Sequence, residues 1–150
     1  IHDRCFLRFV RSCGVVVPPC EPREVDGSHW GFSVRIASSL GSIWSECPFD
    51  DGYDLSIGTS QNGHCAWQEP NFCFPTFRHA LVVFGGVEGI EPLVAADAEL
   101  AEFDAKAESL FDEYLDLCPN QGSRTIRTEE ALLVGMSALR LHIERAGARN

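Results

Sequence analysis

Two arginines, a glycine and a run of amide and hydroxyl side chains stand together in CPNQGSRTIRTEEA, residues 118–131. Backbone N–H groups in such a loop can hold a polar ligand. Guanidinium groups such as Arg124 and Arg127 can meet phosphate or an oxyanion that develops during a reaction. A polar connection with surface arginines has the same composition, and composition alone favours that plainer reading. Two glycine-bearing segments are further candidates: Gly58, Thr59 and Ser60 with Gly63, and Gly85 and Gly86 with Gly89. Each follows a predicted strand, where glycine lets backbone approach a ligand, although tight turns need the same residues. Neither segment matches GxGxxG or the Walker pattern, and HExxH, GxSxG and SxxK do not occur. Cys118 has no evident partner in His79, so a buried structural thiol is favoured over a nucleophile. Trp30, Trp44 and Trp67 could stack on bases, but isolated aromatic residues belong more often to a core.

These residues need a scaffold. FLRFV and GVVV read as two short strands parted by a turn at Ser12 to Gly14 and stopped by Pro18 and Pro19. WGFSVRIA reads as a strand. SSLGSIWSE reads as a helix with Leu40, Ile43 and Trp44 on one face and Ser38 or Ser39 as its cap. YDLSIG, residues 53–58, and HALVVF, residues 79–84, read as strands, the second apolar enough to be covered on both faces of a parallel sheet. Residues 61–76 read as an irregular connection. Residues 97–115 have helical spacing, with YLDLCP as an alternative final strand. The last element reads as a helix capped by Thr128, with Glu129 and Glu130 in its first turn and Leu132, Leu133, Met136 and Leu139 as its buried stripe. The sum is a small α/β sheet preceded by a short β-rich appendage.

Composition bounds the rest. The chain has 150 residues, 45% hydrophobic and 23% charged, with a formal net charge of -10, which fits one ordinary folded domain. No apolar run reaches the ~18 residues of a membrane helix. Charge is uneven: residues 86–117 carry one cation against ten acids, while residues 118–150 carry five arginines against three acids. Seven cysteines, without a CxxC pair, indicate neither a disulfide framework nor a zinc site, and a reducing compartment inside the cell fits them. The chain starts at Ile1 with no initiator Met and no signal-like order of residues, which reads as a fragment of a longer protein.

WGFSVRIASSL, DGYDLSIGTS, FRHALVVFGGVEGIE and CPNQGSRTIRTEEALL resemble, in this order and spacing, blocks of the SPOUT-class RNA methyltransferases of archaea and eukaryotes. The resemblance covers roughly residues 14–150. It implies a parallel α/β sheet with a C-terminal trefoil knot, N-terminally truncated here. Residues 1–26 would be the tail of an OB-like β insertion and residues 27–150 the C-terminal part of the methyltransferase domain. SRTIRTEEA also resembles the loop-to-helix signature of bacterial small-subunit rRNA uridine-N3 methyltransferases.

The resemblance implies S-adenosylmethionine held bent by three segments, Ile57 to Ser60, Phe84 to Gly89 and Cys118 to Ala131. Cofactor-binding candidates are then Gly58, Thr59, Ser60, Phe84, Gly85, Gly86, Gly89, Cys118, Pro119, Asn120, Gln121, Gly122, Ile126, Thr128 and Ala131. Ile126 and Leu132 would sandwich the adenine. Arg124, Arg127 and Glu129 are the catalytic candidates, with Glu129 or Glu130 orienting a guanidinium. The implied substrate is RNA, most simply rRNA and uridine N3, handled by a homodimer without metal, in the nucleus, nucleolus or cytoplasm. Gln61 and Asn62 depart from the charged residue usual after GTS, and CAWQEPNFCFPTF lengthens the next connection. The alternative function is a non-catalytic remnant of a knot domain that binds RNA or protein.

Overall fold

A computed structural model describes residues 6–10, 13–17, 21, 25, 34–102 and 105–147. The chain divides into two units, Ile1–Ile36 and Ala37–Asn150. In the first, β1 (Phe6–Val10) and β2 (Cys13–Val17) form an antiparallel hairpin in which Phe6 faces Val17 and Val10 faces Cys13. β2 thus begins inside the stretch expected to be the turn.

The second unit is built on three parallel strands. β3 (Leu55–His64) lies at the centre, flanked by β4 (Ala80–Phe84) and β5 (Glu113–Leu115). Strands covered on both faces need apolar residues on both, and β3 and β4 supply them. Leu55 and Ile57 pack with Phe74, Phe77, Leu115, Leu117 and Leu139 in one core, and Ala80 and Val82 lean on it. Val83 packs in the other core with Leu40, Ile90, Val94, Phe111 and Tyr114, joined by Leu81. The sheet edge is fixed by Asp54, whose carboxylate accepts from the Arg78 and His79 N–H groups at 2.8 Å each. Those bonds hold its carboxyl below the usual range.

Short helices cover the second core: α1 (Ser42–Ser45), α2 (Glu91–Ala96) and α3 (Ala98–Glu102). The N-cap position of α1 is Gly41, without a side-chain cap, rather than Ser38 or Ser39; Ser39 Oγ instead accepts the N–H of Ser42, the first residue of the helix, at 3.1 Å. Asp97 caps α3 through the N–H groups of Glu99 and Leu100, and its other oxygen takes the Gly41 N–H at 2.9 Å. The first core is covered by residues 65–77 and by α4 (Thr128–Ala146).

Several expectations change. Val34 to Ala37 form no strand, and Val34 and Ile36 are exposed; the rest of WGFSVRIA lies outside the described residues. Residues 97–115 are no single helix: α3, a 3-10 turn at Ala107–Leu110 and β5 divide them, and YLDLCP begins as the alternative strand. Sheet pairing decides it, because Tyr114 and Leu115 are needed beside Gly58 and Thr59. β3 runs six residues past Gly58. On α4 the buried line is Gly135 and Leu139, with Ala131, Ile143 and Ala146 half-buried, whereas Leu132, Leu133 and Met136 are exposed. The helix approaches the sheet through a glycine: a Cβ on Gly135 would lie 2.9 Å from the Phe84 ring and 3.0 Å from Leu117.

Candidate functional site

The carboxyl ends of the three strands open onto one cleft of about 1070 Å³. β3 forms its first wall. Past Thr59 the strand leaves the β5 ladder and rejoins it at His64, which pairs with Leu115 like Thr59 before it. Gly63 allows this return, since a Cβ there would come within 2.6 Å of the Asp116 N atom. The excursion turns Ser60, Gln61 and Asn62 toward the cleft.

The second wall is the turn after β4. Gly86 and Gly89 face each other in an antiparallel bridge, and the Gly89 N–H donates to the Gly86 carbonyl at 3.0 Å. Gly89 has φ +90, a conformation natural only to glycine. The third wall is the segment after β5. It starts at Asp116, anchored by its own N–H to the His64 carbonyl and by its carbonyl to the Trp67 indole at 2.7 Å. Asp116 Oδ1 then accepts the Cys118 N–H at 3.0 Å. Inside the loop, Ser123 Oγ donates to the Thr125 carbonyl at 2.8 Å, and Asn120 takes φ 60.

Three separated stretches of sequence therefore meet. Of the candidates, Thr59, Ser60, Phe84, Gly85, Gly86, Gly89, Cys118, Gln121, Arg124, Ile126, Thr128 and Ala131 line the cleft. Gly58 does not: a Cβ there would lie 2.4 Å from the Phe111 ring, so the core requires this glycine. Pro119, Asn120, Gly122, Arg127 and Glu129 also lie outside the lining, as does Leu132, whose apolar place is taken by Val134. Thr128 is the first residue of α4 rather than its side-chain cap, and its hydroxyl donates to the Gly85 carbonyl at 3.1 Å. Among the described residues Glu130 orients no guanidinium; its carboxylate accepts the backbone N–H of Arg127 at 3.4 Å. Neither Arg124 nor Arg127 has an ion-pair partner among the described residues.

The charged side chains lining the cleft are Glu88, Glu91, Asp116 and Arg124. Glu91, which the sequence reading passed over, is the best anchored. Its Oε1 accepts from Ser60 Oγ and from Asn62 Nδ2, both at 2.7 Å. Burial raises its pKa, but the bonds from Asn62, Ser60 and its own N–H outweigh this and hold it at about 2. Tyr114 stands behind it. The Tyr114 hydroxyl closes no hydrogen bond of good geometry yet feels Ser60 and Glu91, and burial pushes it up to about 12. In the sequence Glu91 lies two residues past Gly89 and just before Pro92, the pattern of an ordinary helix start, so nothing local marks it.

Cys118 and His79 do not meet. Cys118 lies after β5, whereas His79 sits at the opposite end of the sheet, stacked on Phe49 with ring centroids 3.8 Å apart. Cys47, Cys65, Cys73 and Cys118 are free, and among the described residues no group of His, Cys, Asp and Glu could hold a metal ion. No described helix is long and apolar enough to cross a membrane.

Comparison with known proteins fits this geometry. Residues 2–139 match the family model described as "Putative RNA methyltransferase". The chain belongs to that family. It is 49% identical over 137 residues to a human 28S rRNA (uridine-N(3))-methyltransferase, covering 91% of this chain and 35% of that protein. The mouse protein of the same name is 48% identical over 136 residues, covering 91% and 34%. The Drosophila melanogaster protein of that name is 47% identical over 126 residues, covering 84% and 25%. The chain thus spans about a third or less of the length of these relatives.

Proposed function

We propose that this chain forms the methyl-donor site of an S-adenosylmethionine-dependent RNA methyltransferase that acts on uridine N3 of rRNA. One observation carries the reading: three segments from different strand ends converge on a cleft with three carboxylates and one guanidinium. Such a lining suits a cation with an apolar body better than a nucleoside phosphate. The family and the printed names of the human and fly relatives supply the substrate class. The same family membership and the parallel sheet support a SPOUT-type trefoil knot.

The residues present fit the donor. Phe84, Ile126 and Val134 offer apolar surface, Gly85 and Gly86 leave backbone open, and the carboxylates favour positive charge. Bound, the donor supplies an electrophilic methyl group on a sulfonium. Uridine N3 attacks well only as its proton passes to solvent water acting as base, when negative charge spreads to the flanking carbonyl oxygens O2 and O4. Arg124 faces the cleft without an ion-pair partner among the described residues and can stabilise that charge. Arg127 and Glu129 stand exposed at the start of α4, outside the cleft, where an RNA strand or a second copy of the chain can reach them. Exposed Leu132, Leu133 and Met136 on that helix support a homodimer. The same proposal includes a location in the nucleus, nucleolus or cytoplasm.

The test combines binding and modification. The full-length protein should give calorimetric heat with S-adenosylmethionine, and rRNA from cells lacking the gene should lose a 3-methyluridine. A silent titration together with an unchanged map of modified uridines would defeat the proposal.

A further inference from the structure

The carboxylate of Glu91 is fixed by two neutral donors, Ser60 and Asn62, each at 2.7 Å. No cation pairs with it among the described residues, although it lines the cleft. The surroundings are built around it. A Cβ on Gly89 would lie 2.5 Å from Glu91 Oε2, so the glycine leaves that second oxygen its room. The β3 excursion that delivers Ser60 and Asn62 requires Gly63, as described above. Glu88 differs, being exposed on the turn, and Asp116 differs in holding the Cys118 N–H. Glu91 is therefore an immobilised negative charge of the cleft that no cation neutralises among the described residues.

We propose that Glu91 is a specificity-determining residue that favours the sulfonium donor over the neutral thioether left after methyl transfer. The inference rests on the cleft being the donor site. The two ligands share adenosine, amino and carboxylate groups and differ by one methyl and one positive charge on sulfur. A fixed carboxylate near that sulfur would attract the first and gain nothing from the second. Transfer itself then weakens retention, because the carbon–sulfur pair of electrons returns to sulfur and cancels its charge. Product leaves and fresh donor enters.

Calorimetry on the full-length protein with S-adenosylmethionine, S-adenosylhomocysteine and the amine analogue sinefungin tests this. Glu91→Gln should weaken donor and sinefungin by on the order of tenfold while leaving S-adenosylhomocysteine within about twofold. Asn62→Ala, which loosens the carboxylate without removing it, should move the same ratio less. In the unmodified protein, raising the salt concentration should shrink the preference for the donor, since screening acts on the charged ligand's extra interaction. Equal weakening of all three ligands by Glu91→Gln would place the carboxylate on a group they share and overturn the proposal. An unchanged ratio with a salt-insensitive preference would overturn it too. No binding of any ligand to the unmodified protein would instead defeat the donor-site reading beneath it.

Discussion

The hydroxyl of Thr128 donates to the carbonyl of Gly85 at 3.1 Å, joining the first residue of α4 to the turn after β4. The bond crosses the cleft's rim and fixes two of its three walls to each other. Thr128→Val keeps the side-chain shape and removes the donor. It should cost about 1 kcal/mol of stability, read by thermal melting, and should loosen donor binding by calorimetry more than it lowers the melting temperature. Unchanged donor affinity would show that the walls are held by other contacts.

Gly58 and Gly86 make a paired prediction. An alanine at Gly58 meets the Phe111 and Tyr114 rings, whereas one at Gly86 meets nothing within 4 Å. Gly58→Ala should destabilise by about 1–3 kcal/mol through overpacking, and Gly86→Ala should leave thermal stability nearly unchanged. Denaturant titration of both variants checks the contrast.

Leu139 is the fully buried contact of α4 with the core under β3. Leu139→Ala should cost about 2–5 kcal/mol. Leu133→Ala, at a residue 72% exposed, should cost little stability, and it should shift the equilibrium toward monomer in sedimentation if two copies pair through this helix.

Glu91 also sets a pH dependence. Its folded-state pKa of about 2 lies below the ordinary 4.5, so its ionisation stabilises the fold fully above pH 4.5. That contribution is lost as pH falls toward about 2. Acid unfolding of the unmodified protein should therefore be steeper between these values than that of Glu91→Gln, measured by circular dichroism at fixed temperature.

Arg124 should act on catalysis alone. Arg124→Ala should lower kcat by on the order of a hundredfold, as removal of an oxyanion donor does, with donor affinity retained. Arg127→Ala, outside the cleft, should leave donor affinity unchanged and weaken RNA binding, measured by filter retention.

Much of the sheet was legible. HALVVF announces a strand covered on both faces, and the structure provides a core on each. The end of YDLSIG was not legible, because Gln61 and Asn62 look like loop residues until Gly63 is seen lying against the backbone of Leu115 and Asp116. The helical stripe was misplaced for a related reason. Leu132, Leu133 and Met136 dominate any hydrophobic pattern, yet close approach to the sheet demands small residues, and Gly135 sits where Phe84 and Leu117 crowd it. The convergence of three segments could be read from strand-end glycines, and most of the cofactor candidates do line the cleft. The role of Glu91 could not be read, because it depends on Ser60 and Asn62, about thirty residues earlier in the chain.

At the far end of α4, the Phe77 N–H donates to the Ala146 carbonyl at 3.3 Å, so the helix is tied at both ends to the segment that contains β4. A helix from Thr128 to Ala146 is about 27 Å long at 1.5 Å per residue, and an extended chain from Phe77 to Gly85 is about 26 Å. Helix and strand are thus matched rulers laid side by side in opposite directions. Deleting one residue from the middle of the helix would shorten it by ~1.5 Å and rotate its remainder by about 100°, so only one of the two hydrogen bonds could be kept. Length in this region is as constrained as residue identity, and natural insertions should collect in the loops beyond it.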